Sequence, residues 1–188
     1  MPPLPASYPN IKIRQFRIFN SECDYLMLST YTGVVAEYEI KVTKSDLMRE
    51  CQIACAAREG NKSSLLARDT LKFDKHSSFC RDRQLPTNYY SLVVPAELVD
   101  TCTQSAPDYA GIYKAETSAN TGWISIKPMR MPALVSSTKA DAIFFARCAE
   151  HLFSQLSDLH QAVAQIKITR SESRRKYLTD IARAVHEA

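Results

Sequence analysis

The feature that most constrains this chain is residues 34–42, VVAEYEIKV, running without interruption into TKSDLMRE. Side chains alternate across a strand. Val34, Ala36, Tyr38, Ile40 and Val42 therefore share one face, and Glu37, Glu39 and Lys41 share the other. Thr43 and Asp46 stand at capping-box spacing, with Asp where Glu is preferred, and predict a helix from about Ser45. Ile53, Ala54, Ala56 and Ala57 carry that helix to about Arg58, and Gly60-Asn61 closes it. A sheet with one wet face is the plain reading of the charged side, since Glu and Lys two apart are common there.

Around this junction the chain reads as blocks of strands and helices. Residues 1–10, with Pro2, Pro3, Pro5 and Pro9, form an extended lead-in. Ile11, Ile13, Phe16 and Ile18 roughly alternate with Lys12, Arg14 and Arg17, which predicts a strand. Residues 24–29 (DYLMLS) predict another, joined to 34–42 by a turn through Thr30 to Gly33. A second helical stretch is expected over about 63–77. The apolar run YYSLVV (89–94), ending at Pro95, predicts a buried strand, and shorter strands are expected near 110–115 and 122–127. After Thr138, with Asp141 completing another Thr-x-x-Asp start, a long helix is expected. Its stripe is Ile143, Phe144, Cys148, Leu152, Leu156, Leu159 and Val163. Residues 167–176 read as basic and polar, with a final amphipathic helix over 177–187. The expected fold class is therefore α/β, an α+β mixed sheet with flanking helices and a long C-terminal helix. The expected division is one domain over residues 1–165 and a basic tail over 166–188.

Composition narrows the function classes. A formal net charge of +4 permits a nucleic-acid partner without demanding one. Hydrophobic residues at 45% and charged residues at 23% describe a soluble globule rather than a disordered or fibrous chain. Cys23, Cys51, Cys55, Cys80, Cys102 and Cys148 show no CxxC spacing, and no apolar leader or membrane span is visible. A reduced, cytoplasmic protein with free thiols is expected, with no membrane partner and no small-molecule cofactor. Cys51 and Cys55, on one helix face, read as core rather than iron–sulfur ligands. No Walker loop, GxGxxG, Ser-His-Asp order or zinc-ligand cluster competes for the chemistry.

The hairpin supplies a candidate site. If the chain turns about Tyr31-Thr32, Asp24 falls directly opposite Glu39. Opposed residues have Cβ atoms about 4.5–5.5 Å apart, and like charges so placed repel. Two carboxylates there suit a divalent, oxygen-ligated metal, which removes the repulsion. Lys41 follows two residues on, on the same face, in reach of a phosphate or water.

At these residues the chain resembles a known family. Asp24 followed by Glu39-Ile40-Lys41 on adjacent strands is similar to the D…ExK signature of PD-(D/E)xK nucleases. EIKVTKSDLMRE (39–50), Lys75-His76, NYYSLVVPAELV (88–99) and PDYAGIYKA (107–115) resemble, in that order, the MmcB-like group of bacterial DNA-repair proteins. The resemblance covers about residues 11–165. It implies a restriction-endonuclease-like core and an Mg2+-dependent DNA endonuclease of repair or recombination, with Mn2+ as an alternative ion. Asp24, Glu39 and the Ile40 carbonyl would hold the metal, and Lys41 would orient water and stabilise phosphate charge. The implied partner is DNA, and such nucleases often form homodimers to cut two strands. The alternative is a nuclease-fold module that binds DNA or protein without cutting, because the N-terminal helix that often supplies another acid is absent from the pattern. Cys23 also stands where a proline often precedes the aspartate.

Lys44, Lys72, Lys75 and His76 are the expected DNA contacts. For Lys75 and His76, phosphate contact competes with a solvated helix end, where cations are favoured anyway. Asp46 reads as a cap. Glu37 reads as an outer or solvated residue, and Tyr89 and Tyr90 as core. Lys167, Arg170, Arg174, Arg175 and Lys176 form a basic cluster, either a solvated tail or a further phosphate contact.

Overall fold

A computed structural model describes residues 10–18, 21–63, 65–81, 85–119 and 122–186. Among the described residues six strands form one mixed sheet in sequential order: β1 (Asn10–Ile18), β2 (Ser21–Ser29), β3 (Val35–Ile40), β4 (Thr87–Pro95), β5 (Gly111–Thr117) and β6 (Ile124–Arg130). The first three strands form an antiparallel meander. The central pairs β3–β4 and β4–β5 are parallel, and β5–β6 returns antiparallel. Parallel neighbours need long crossovers. The chain supplies α1 (Lys44–Glu59) and α2 (Thr70–Cys80) between β3 and β4, and α3 (Val99–Ser105) between β4 and β5. This is the mixed α/β class expected from the sequence.

The β2–β3 hairpin takes the expected register. Tyr25 pairs with Tyr38 and Leu26 with Glu37, while Ser29 N donates to Val34 O across the turn. Gly33, at φ 67°, supplies the left-handed residue.

α1 starts where its cap predicts: Thr43 Oγ1 accepts from Asp46 N at 3.2 Å. It ends in a Schellman-type turn, with Gly60 N donating to Ala57 O, Asn61 N to Ala56 O, and Gly60 left-handed at φ 75°. Leu47, Cys51 and α3's Cys102 pack with Tyr90, Leu92 and Ile112 of the sheet to form the main core. Ile53, Ala56 and Ala57 meet Phe73 of α2 in a smaller one.

Three sequence expectations are corrected. The second helical stretch does not begin at 63: Asn61 Oδ1 accepts from Ser63 N and Oγ, an Asx-type turn that competes with helix. A 3-10 turn at Ala67–Asp69 then leads into α2, so Lys75 and His76 lie inside that helix rather than at its end. Cys55 is exposed and donates to Glu59, whereas Cys51 is buried; both thiols are free.

α4 (Ala142–His186) is capped by Asp141, whose Oδ1 accepts from Phe144 N at 2.8 Å. The acid expected to complete a Thr138 start is thus itself the cap. The helix runs through residues 167–176 without a break. The chain divides into two compact units, Met1–Phe145 and Ala146–Ala188. Among the described residues no helix is long and apolar enough to cross a membrane.

Candidate active site

The charged face of β3 is not wet. Glu37, Glu39 and Lys41 are each no more than 3% exposed, because the two crossover helices lie over that face. On the opposite face the apolar Ile40 is 47% exposed, and Val42, just beyond the strand, is 70% exposed. The usual polarity of a half-buried strand is inverted. A buried charge persists only when paired and hydrogen-bonded, and this site supplies both.

Three carboxylates alternate with three ammonium groups. Glu39 Oε2 lies 2.9 Å from Lys41 Nζ and 3.8 Å from Lys72 Nζ. Glu39 Oε1 accepts from Lys75 at 3.0 Å. Lys75 also donates to Glu37 Oε1 at 2.6 Å, and Thr87 donates to Glu37 Oε2. From α1, Glu50 Oε2 accepts from Lys72 at 2.6 Å and lies 3.5 Å from Lys41 Nζ. Its Oε1 accepts from Tyr90 at 3.1 Å and faces His76 Nε2 at 2.8 Å. An ionised carboxylate can only accept, so Nε2 donates to Glu50, and Nδ1 lies 2.6 Å from the Tyr109 hydroxyl.

The electrostatics follow from this geometry. Burial pushes the Glu39 carboxyl up, but Lys75, with Lys41 and Lys72, outweighs burial and the Glu50 charge and holds it below its ordinary value. For Glu50, burial again opposes, and His76, Lys41 and Lys72 hold it well below. Burial disfavours the ammonium of Lys41, yet Glu39 and Glu50 raise its pKa; Glu37 and Glu39 do the same for Lys75. All four groups are ionised at neutral pH.

A sign follows for acid stability. Carboxyls depressed on folding contribute stability that is present above their unfolded value, near 4.5, and lost as pH falls through the lower folded value. The urea midpoint should therefore hold between pH 7 and 5 and fall steeply below about 4.5. A flat midpoint down to pH 3 would contradict the ionised network.

The predicted residues separate into groups. Glu39 and Lys41 are brought together as expected. Asp24 extends the Tyr25–Tyr38 register to lie opposite Glu39, but its Oδ2 accepts from Ile40 N at 2.7 Å. Among the described residues its Oδ1 accepts no hydrogen bond. N–H and C=O of one strand residue point to the same neighbouring strand, so the Ile40 carbonyl faces β2, towards Asp24. Lys44 is exposed at the start of α1 and Lys72 is partly exposed. Lys75 and His76 are buried, so neither sequence alternative, phosphate contact or solvated helix end, describes them. The basic side chains of residues 167–176 lie outside the described residues, apart from the exposed Lys176.

Two members were missed by sequence reasoning, Glu37 and Glu50. Glu50 carried a signal: it sits on the buried stripe of α1 with Leu47, Cys51 and Ala54, where a carboxylate demands a partner. Glu37 was visible on the Glu39 face and was read as an outer or solvated residue; it is buried and holds Lys75.

No protein-family model matches the chain, and no curated protein matches it. Among solved structures it is similar to the SPO1766 protein of unknown function from Silicibacter pomeroyi, at 15% identity over 80% of each chain with a TM-score of 0.50. That likeness shows the fold. A fainter similarity is to Pyrococcus furiosus SfsA in complex with Ca2+, at 12% identity, 64% of this chain, 53% of that chain and a TM-score of 0.25.

Proposed function

We propose that this chain is a divalent-metal-dependent nuclease-fold protein that hydrolyses phosphodiester bonds in DNA, with Asp24, Glu39 and Lys41 at its centre. The observation that carries this reading is the Lys41 ammonium, kept charged 2.9 Å from Glu39, on the strand end that Asp24 faces from β2. A repair or recombination role in the cytoplasm belongs to the same reading.

Oxygen donors of this type suit Mg2+ or Mn2+, which would have to compete with Lys41 and Lys75 for Glu39. Asp24 and Glu39 offer hard carboxylate oxygens, Asp24 Oδ1 has no competing donor among the described residues, and the Ile40 carbonyl lies on the same edge. Asp24, Glu39 and that carbonyl are the residues that would hold the ion. When bound, the metal polarises a phosphoryl oxygen and acidifies water. Lys41 orients the attacking water and stabilises the negative charge that develops on phosphate as the P–O bond breaks. Glu50 and Glu39 hold the lysine between them, which fixes its position before substrate arrives.

A second reading, DNA binding without cleavage, has one observation in its favour. The three carboxylates are already neutralised by three lysines, so an added cation must share oxygens that ammonium groups hold. Incubation of labelled single-stranded and duplex DNA with the protein in Mg2+, Mn2+ or EDTA separates the readings. Cleavage that needs metal is the expected result. Binding without cleavage under every metal condition would select the second.

A further inference from the structure

α4 has an apolar face that it does not bury. From Ala149 onward none of its described residues is buried. The helix has 45 residues and spans about 68 Å. Helices in water draw most of their stability from packing one apolar face. Ion pairs along the helix do not take the place of that packing, because no lysine or arginine occurs between Ala149 and Ile166. The face itself is present: Phe153, Leu156, Leu159 and Val163 are 72, 61, 61 and 43% exposed.

The spacing along this face says what fits it. Phe145, Ala149, Leu152, Leu156, Leu159 and Val163 follow one another in alternating steps of four and three, the a and d positions of a heptad repeat. Glu150, Ser154, Ser157, Asp158 and Gln161 occupy b, c and f positions on the far side. A period of 3.5 keeps one seam turned towards a helix that carries the same repeat. α1, α2 and α3 are 16, 11 and 7 residues long, and their buried residues are committed to the two cores. The matching helix is α4 of a second copy.

We infer that α4 is a dimerisation element, forming an antiparallel two-stranded coiled coil with a second copy of this chain. In an antiparallel pair the a positions of one helix face the d positions of the other. Leu156 then meets Leu159 of the second copy, Leu152 meets Val163, and Ala149 meets Ile166, a small residue against a large one. Charge sets the direction. Lys167, Arg170, Arg174, Arg175 and Lys176 follow the seam in the sequence. A parallel pair would set these clusters side by side, with Arg170 at an a position against its own copy, whereas an antiparallel pair sends them to opposite ends. The area suffices as well. The four exposed side chains of two copies present on the order of 800 Å2, and Ala149, Leu152 and Ile166 carry the seam past the roughly 1,000 Å2 of a specific interface. The pair is two-fold symmetric and closes on itself. It stands on α4 alone and is independent of the nuclease reading.

The test is sedimentation velocity of the full chain over a dilution series, read against the 21.2 kDa mass of one chain. Wild type, Leu156→Glu/Leu159→Glu and Ser154→Glu/Ser157→Glu are compared, the last adding the same charge off the seam. Wild type and the serine variant should run at twice the single mass. The leucine variant should run at the single mass throughout, with a weaker helical circular dichroism signal, because a lone helix is marginal in water. If that variant folds poorly, Leu156→Ala keeps the test open: it should weaken the dimer about tenfold or more. The direction is read by oxidising a mixture of Ala149→Cys and Ile166→Cys chains, which should cross-link to each other, while neither should cross-link to itself beyond the wild-type level. A monomeric wild type, or a leucine variant that stays dimeric, overturns the inference. Cysteine variants that cross-link to themselves and not to each other overturn the antiparallel order.

Discussion

Lys75→Ala should unfold this protein more readily than any surface substitution, by about 3–5 kcal/mol at neutral pH. Lys75 is buried between Glu37 and Glu39 at 2.6 and 3.0 Å. Its removal leaves two carboxylates in a site sealed from water, Glu37 with only Thr87 and Glu39 with only its Lys41 side satisfied. Breaking a buried pair costs far more than the pair contributes, because the stranded charge has no solvent to turn to. Lys62→Ala is the matched control. It breaks the Lys62–Asp74 pair at 2.7 Å, but both side chains are more than half exposed, and such pairs contribute little. Urea unfolding of both variants checks the contrast. The Lys75→Ala deficit should shrink as pH falls and the stranded carboxyls take up protons. A loss no larger than that of Lys62→Ala would mean the carboxylates are not buried as charges.

The same network explains where sequence reasoning succeeded and where it stopped. The β2–β3 register was legible because it depends on local facts: a turn at Gly33 and two alternating strands. The α1 boundaries were legible for the same reason, in Thr43 at one end and Gly60 at the other. α3 was missed, being two turns long with no strong cap. The identity of the buried face of β3 was not legible, since alternation divides a strand into two faces without saying which is covered. Hydrophobicity votes for the face of Tyr38, Ile40 and Val42, and here it votes wrongly. The face is decided by α1 and α2, which bring Glu50, Lys72, Lys75 and His76 over Glu37, Glu39 and Lys41 from far along the chain. Only a three-dimensional pairing neutralises those charges, and a one-dimensional pattern cannot display it. On a wet face an alanine at Glu39 or Lys41 would cost the fold little, whereas here each strands a buried partner.

The second large effect is on activity. Lys41→Met keeps most of the side chain's volume and removes its charge. Glu39 retains Lys75 and Glu50 retains Lys72, His76 and Tyr90, so the variant should be destabilised less than Lys75→Ala and remain folded at ordinary temperatures. Without the ammonium, nothing in the Glu39 pair stabilises charge on a phosphate or orients water. Loss of one such preorganised group commonly costs a hundred- to a thousandfold in rate, about 2.7–4 kcal/mol of barrier. Glu39→Gln tests the other half of the pair, but it weakens three lysine contacts at once and is harder to read.

The most direct test of the central claim is therefore the rate of Mg2+-dependent DNA cleavage by Lys41→Met, measured well below its melting temperature beside wild type. The account predicts a folded protein whose cleavage falls about a hundredfold or more. A folded Lys41→Met that cleaves DNA at the wild-type rate would contradict it.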